Sequence, residues 1–425
     1  MFKKIVNSLF WLWIFLIPWQ TRWIIKDPML QGSAWEYGRV SLYAGDIVFA
    51  ILLILCAVLW FKQKKMARLH ALPFVLFICF ILWAGLSIFW AADYAVGLYY
   101  FARIIQMFFV LAMVRVLKSS FKFIASSLIL SGGVQAGFAI LQFALQWVPA
   151  SKWLGLASQE AGNLGTAVIE TRSGRFLRAH GSLPHPNILA GFLDIVLLGS
   201  LGVYLKNKVG KNWWFWPAWL VVLQALVLSF SRSAWLGLAA ALILIIIKLR
   251  KHKPALKKII LVCVFSGLLV LANVFVLGDI FSSRVYADTR LETESIGRRQ
   301  EQTAQAFEIM RKNPLGLGLG NYTAWLQQEH ESMPGYFYQP VHNQYLLILA
   351  ELGFVGLGLF IILLAGFLNK YFKANYEQTK LYFIAFLACA GIIFLFDHYF
   401  WTSYTGVLML GLVFAVLLIS RGDEG

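Results

Sequence analysis

The stretch VHNQYLLILAELGFVGLGLF (341–360) opens on a histidine and two amides and then runs almost wholly apolar. A neutral imidazole at the mouth of such a stretch can accept a proton near physiological pH, so His342 qualifies as a general base, with Asn343 or Gln344 beside it as positioning groups. A lone histidine at a helix start is more commonly a cap or an interfacial hydrogen-bonding residue, and His180, His185, His330 and His398 compete with it. The arginines change that balance. In SFSRSAWLGL (229–238), Arg232 sits in a turn too short to leave the interface between two apolar runs, where a cation is costly unless it faces a polar cavity or a partner. In RSGRFLRAHGSLPHPNILAGFL (172–193), Arg172, Arg175 and Arg178 recur every third residue. His185, Pro186 and Asn187 then lead into an apolar helix, with Pro186 suited to its first turn. SIGRR (295–299) places Arg298 and Arg299 where a helix is expected to begin, so that backbone N–H groups would add to anion affinity. Guanidinium forks grip phosphate oxygens bidentately and stay charged, so the set points to a bound phosphate or diphosphate. The competing partners are the acids of the same loops: Glu160, Glu170, Asp279, Asp288, Glu292 and Glu294.

The elements that must carry these residues are membrane spans. Of the 425 residues 60% are hydrophobic and only 13% charged, with a mean hydropathy of +0.71, and the apolar runs recur from end to end. That composition defines an all-α polytopic membrane protein. Apolar stretches of about 20 residues give twelve expected spans, at 8–25, 43–61, 71–90, 95–117, 122–148, 186–205, 213–230, 232–249, 258–278, 342–369, 380–397 and 400–420. The first has the basic start of a signal peptide but no small-residue cleavage site, so it reads as a retained helix. The four cysteines all lie within apolar runs, as small packing residues.

Basic connectors (62–70, 118–122, 206–211, 248–258, 369–373) alternate with short aromatic or polar ones (90–94, 229–233, 397–404). By the positive-inside rule the basic set and both termini are cytoplasmic. The whole chain, 1–425, then forms a single integral membrane domain, with two outer loops at 149–185 and 279–341. The second of these is expected to cap the bundle with an amphipathic helix whose apolar positions are Ala304, Phe307 and Met310, ended by Pro314. Lysine dominates the cytoplasmic cations. Arginine dominates the outer ones, where only Lys26, Lys152 and Lys312 interrupt it. Charge alone does not account for that division, and phosphate recognition does. Glu351 is half a turn out of phase with His342 and is expected to be a structural partner, Arg103 being one candidate for its mate. GLGLGNY (316–322) follows no strand and opens no lysine-bearing helix, so it is not a nucleotide loop. No cluster of His, Cys, Asp and Glu has metal-ligand spacing, so no metal, cofactor or nucleic acid is expected.

The order RAHGSLPHPNILAGFL, SFSRSAWLGL, GRRQEQTAQAFEIMRKNPLGLGLGNY and HNQYLLILAELGFVGLGLF resembles the O-antigen ligase family over roughly 175–365. The resemblance implies a multi-span glycosyltransferase fold of the lipid-linked-sugar (GT-C-like) type. It implies en bloc, inverting and metal-independent transfer of a glycan from undecaprenyl diphosphate to an acceptor hydroxyl, on a glycan or lipid-linked glycan, at the outer face of the bacterial cytoplasmic membrane. It assigns the base to His342 and the diphosphate contacts to Arg178, Arg232 and Arg298, with Arg175, His185, Asn187, Arg299, Asn343 and Gln344 in support. One departure is that Gln302 stands where the family usually has tryptophan. A polysaccharide polymerase and a protein O-oligosaccharyltransferase share this chemistry. A lipid-linked glycan transporter is the reading of a different class, which predicts repeated halves and cations reachable from both sides, whereas no internal repeat is visible and the arginines gather outside.

Overall fold

The computed structural model describes residues 1–63, 72–163, 165–206, 213–286, 289–330, 333–373, 377–417 and 419. Asp288 and most of the connectors at 62–70 and 206–211 lie outside the described residues. The helices are α1 (Phe2–Leu16), α2 (Ala44–Lys62), α3 (Leu72–Leu86), α4 (Tyr94–Leu117), α5 (Phe121–Leu145), α6 (Pro186–Lys206), α7 (Phe215–Leu228), α8 (Arg232–Leu249) and α9 (Lys253–Val276). They continue with α10 (Gly278–Tyr286), α11 (Arg290–Lys312), α12 (Tyr322–Glu329), α13 (Gln344–Lys373), α14 (Glu377–Phe396), α15 (Tyr399–Thr402) and α16 (Tyr404–Val416). Among the described residues eight helices are long and apolar enough to cross a membrane, and α7, most of α14, and α16 are shorter apolar ones. The protein is thus an all-α polytopic membrane protein, and a helix overlaps each of the twelve expected spans.

α6 is the hub of the bundle. Most of its side chains are buried, and it packs against α5, α7, α8, α14 and α16. Its small and polar residues, among them Gly191, Asp194, Gly199 and Ser200, suit close helix–helix contact rather than lipid. α9, by contrast, leaves most of its apolar side chains exposed, as a lipid-facing helix does.

The first expected span, 8–25, ends early. α1 stops at Leu16, and Arg22–Lys26 instead forms strand β1, paired antiparallel with β4 (Val40–Tyr43) around the small β2 (Met29–Leu30) and β3 (Ser33–Ala34) pair. Arg22 and Lys26 alternate with apolar Trp23 and Ile25 there, a period-two pattern that suits a strand. Arg103, buried in α4, anchors this hairpin region: it forks onto both carboxylate oxygens of Asp46 (2.5 and 3.0 Å), donates to the Ser41 carbonyl, and lies over the rings of Tyr99, Tyr404 and Tyr43. Arg103 therefore does not pair with Glu351, whose carboxylate accepts instead from Trp401 Nε1 (2.9 Å) and from the backbone N–H groups of Gly320 and Tyr322.

α13 is broken at Gly353, whose φ of 66° and ψ of −170° belong to a region only glycine enters cheaply. The break opens backbone groups inside the bundle, and the GLGLG segment closes them. Leu317 and Gly318 N–H donate to the Ala350 and Glu351 carbonyls (2.9 Å each), and Phe354 N–H donates to Pro314 (3.1 Å). A Cβ on Gly353 would lie 2.3 Å from the Pro314 oxygen, so the glycine is needed for close approach as well as for its torsion. Irregular backbone at such depth is tolerated only where protein satisfies it. This gives GLGLGNY a structural task, and Asn321 continues it by bonding both backbone groups of Asp93.

Candidate functional site

α11 lies along α13, but not on the face expected for it. Gln302, Ala306 and Ile309 are buried, whereas Ala304 is exposed and Phe307 is 47% exposed. The helix also begins at Arg290, more than two turns before Arg298. Arg298 and Arg299 therefore project from its middle, and the N-terminal amides are not theirs to use. The rotation buries an amide side chain for a reason visible at its tip: Gln302 Oε1 lies 2.8 Å from His342 Nδ1.

That contact sets the state of the histidine. With a carbonyl oxygen facing Nδ1, the proton sits on Nδ1, and Nε2 keeps a free lone pair. His342 is held well below the ordinary imidazole value, first by burial and then by His398, with Asp397 opposing and Arg299 adding to the effect. The ring is therefore neutral at physiological pH, with a basic nitrogen. His398 packs edge-on to it at 5.1 Å between centroids and is itself tied through Nδ1 to Thr402 (2.8 Å).

A cavity of about 560 Å³ opens beside His342. Five guanidiniums line it: Arg178, Arg232, Arg284, Arg298 and Arg299. The α7–α8 turn organises three of them. Phe230 takes a left-handed φ of 51°, uncommon for a bulky residue, and the turn so formed directs two carbonyls at arginines. Ser229 accepts from Arg178 Nε and Phe230 from an Arg284 N–H, both at 2.8 Å, while Arg232 leaves the same turn as the first residue of α8. Buried Glu292, in the first turn of α11, accepts from Arg232 (2.9 Å) and from Arg284. Burial disfavours the charged forms of Arg178, Arg284 and Arg299, and their mutual repulsion adds to it, with Asp397 opposing at Arg178 and Arg299. Arginine does not give up its proton under such pressure, so the cluster has a standing affinity for an anion.

Asn187, at the start of α6, accepts from Arg178 (2.7 Å) and donates to Asp397 (2.7 Å). It thereby joins the arginine cluster to a carboxylate on the far side of His342. His185 accepts the Asn187 backbone N–H on Nδ1 (3.1 Å) and lines the cavity. Its side chain is open to the cavity, yet the protein packed around it first, then Arg178, lower its proton affinity, with Asp397 opposing. Asp397 is kept ionised despite burial by His398, His342 and His185 and by the Asn187 bond.

Of the residues singled out in the sequence, His342, Arg178, Arg232, Arg298, Arg299, His185 and Asn187 thus meet at one cavity. Three do not. Arg175 is exposed on a hairpin of β5 (Val168–Thr171) and β6 (Gly174–Leu177), opposite Glu170. Asn343 caps α13, accepting from Leu346 N–H and donating to the Leu395 carbonyl. Gln344 is fully buried away from the cavity, and no hydrogen bond joins it to His342. Arg284 and Asp397 belong to the site and carry no signal in the sequence reading, where Gln302 stands only as a departure and His398 only as a competing histidine. The ion-pair alternative also operates: Glu292 engages two site arginines, and Arg290 bonds Glu294.

Helices of this length around a polar cavity define a polytopic membrane protein with a cationic cavity. Residues 217–361, about a third of the chain, match the family model described as O-antigen ligase, which supports an assignment to that family. Glycan ligation or polymerisation is the general activity this supports. The matched segment contains Arg232, Arg284, Arg298, Arg299, Gln302 and His342, while Arg178, His185, Asn187 and Asp397 lie outside it. No curated protein matches the chain. A solved structure described as "Structural coordination of polymerization and crosslinking by a peptidoglycan synthase complex" aligns over 83% of this chain and 97% of that one, at 14% identity and a TM-score of 0.38. A score so low carries no argument about this chain.

Proposed function

We propose that the protein transfers a glycan en bloc from undecaprenyl diphosphate to an acceptor hydroxyl, with inversion, at the outer face of the bacterial cytoplasmic membrane, and that its bundle is a lipid-linked-sugar glycosyltransferase of GT-C-like type. The observation that carries this reading is the pairing of a neutral, tautomer-fixed histidine with five guanidiniums in one cavity. In the reaction the acceptor oxygen bonds to the anomeric carbon as the bond from that carbon to the diphosphate oxygen breaks. The bonding pair leaves with the diphosphate, and the acceptor proton passes to His342 Nε2. The charge that grows on the leaving group is met by guanidiniums already in place, which lowers the barrier because no solvent must reorganise. Arg232 and Arg284 are held ready by Glu292.

A diphosphate in the cavity also offsets the guanidinium repulsion felt by His342, raising its basicity toward the range suited to a general base once the donor is bound. Asp397, linked to Arg178 through Asn187, stabilises the imidazolium that forms. The cluster as a whole makes a ligase and a polymerase equally feasible. A deletion strain separates them: loss of long chains from the acceptor with lipid-linked polymer accumulating marks a ligase, and single repeat units mark a polymerase. Purified protein given a lipid-diphosphate glycan donor and the matching acceptor is expected to release undecaprenyl diphosphate in step with product. Absence of that release would remove the reading.

A further inference from the structure

A second cavity, of about 320 Å³, lies on the other side of His342 and shares His185, Asn187, Gln339 and His342 with the first. Its remaining wall comes largely from elsewhere in the chain, from the N-terminal hairpins, α4 and the stretch from Asp397 to Tyr404, joined by Pro184, Ile188 and the large-loop segment from Gly335 to Tyr338. The hairpins are locked onto the large loop. Gly335 meets the Ala34 backbone so closely that a Cβ would lie 2.6 Å from it, and Trp35 packs edge-on to Tyr338. Tyr37, from the same hairpin region, packs edge-on to His398 at 5.7 Å.

The two cavities have opposite chemistry. In the second, each arginine is answered: Arg22 pairs with Glu36 of the wall (3.0 Å), and Arg39 with the same Glu36 and with Asp27 behind it (2.6 Å). Asp397 adds a further negative charge. A phosphate group would find no unmet guanidinium there and would face a carboxylate. What the wall does offer is aromatic surface with polar tips, from Tyr37, Tyr99 and Tyr100, while the hydroxyl of buried Tyr338 is already engaged by His330 and Met333. Such side chains present an apolar face together with a hydrogen-bonding hydroxyl, which suits a ring that is apolar on its C–H faces and hydroxylated at its rim. Burial, together with Asp397 and Glu36, keeps the Tyr37 phenol protonated and so able to donate.

We infer that the hairpin-walled cavity is the acceptor subsite, that it takes an uncharged sugar residue, and that it presents the attacked hydroxyl to His342 from the side opposite the diphosphate. This rests on the transfer reaction proposed above. It further assigns acceptor choice to residues 20–43 and 397–404, which lie outside the segment matched to the family model.

The test uses the full chain in nanodiscs, with the lipid-linked donor fraction and the acceptor fraction both extracted from source cells lacking this protein. Tyr37→Ala is expected to raise the acceptor KM by about tenfold, the range of one aromatic contact, while inhibition by inorganic pyrophosphate, a probe of the first cavity, stays as in the wild type and reports an intact fold. Should Tyr37→Ala not fold, Tyr37→Phe is expected to give a smaller rise in the same constant. Treating the acceptor fraction with alkaline phosphatase is expected to leave its KM unchanged. An unaltered acceptor KM in the folded variant, or loss of acceptance after phosphatase, overturns the inference while leaving the transfer reaction standing. A wild type that forms no product overturns the transfer reaction, and this subsite with it.

Discussion

Gln302→Leu removes one atom pair from the site: the Oε1 that faces His342 Nδ1 at 2.8 Å. The backbone contact of this residue, its carbonyl accepting from Tyr322 Oη at 3.2 Å, is untouched, so α11 stays docked. Gln302 is buried, at 8% exposure, and His342 is half-buried. The change therefore orphans an N–H rather than returning it to water, which costs roughly 1–3 kcal/mol. The imidazole can relieve that cost by moving its proton to Nε2, the nitrogen the reaction needs bare. Either way the competent state loses the same order of free energy, and kcat is expected to fall by about 5- to 150-fold. Donor affinity, read as inhibition by inorganic pyrophosphate, is expected to hold. Gln302→Glu keeps an acceptor at the position and adds a negative charge. It is expected to preserve the tautomer and to move the acid limb of the kcat/KM profile to higher pH, since a carboxylate favours the imidazolium. The assay is release of undecaprenyl diphosphate at saturating donor across pH. Wild-type kcat in Gln302→Leu, or an unmoved acid limb in Gln302→Glu, would refute the tautomer argument.

Other expectations follow from neighbouring contacts. His342 is held below the ordinary imidazole value and works deprotonated, so kcat/KM should stay on its plateau as pH falls through 6.5 and decline only at lower pH; an acid limb at or above 6.5 contradicts this. Arg284→Gln should weaken pyrophosphate inhibition and leave the Glu292 carboxylate short of one partner, whereas unchanged inhibition would place Arg284 in a purely structural role. Arg232→Lys should also lose most activity despite the kept charge, because the fork that bonds Glu292 and the Arg284 carbonyl has no lysine equivalent. Gly353→Ala combines a torsion costing about 1–3 kcal/mol with a Cβ 2.3 Å from the Pro314 oxygen. It should lower the thermal unfolding midpoint in detergent, and a wild-type midpoint would show that the break is not held by that glycine.

The spans were legible because membrane helices announce themselves by composition, and the arginine clusters because costly cations at an interface need a reason. Arg284 was not legible: in sequence it is one more loop arginine beside Arg290, and only its bond to the Phe230 carbonyl separates the two. Gln302 was noticed as a departure, but its use depends on the rotation of α11, which an apolar count of Ala304, Phe307 and Met310 places on the wrong side. Asp397 and His398 reach the site from beyond α14, far along the chain from the motifs that drew attention to it. The N-terminal hairpins were hidden because β1 alternates for only five residues inside a stretch whose overall hydropathy reads as helix. The break at Gly353 was hidden for the same reason: hydropathy reports burial and is blind to torsion.

The central claim is that His342 takes the acceptor proton beside a separately held diphosphate. The measurement that addresses it most directly is single-turnover release of undecaprenyl diphosphate by His342→Ala, run alongside inhibition or displacement by inorganic pyrophosphate on the same preparation. The account predicts that release falls to background while pyrophosphate binds as it does to the wild type. Undiminished release from His342→Ala would contradict it.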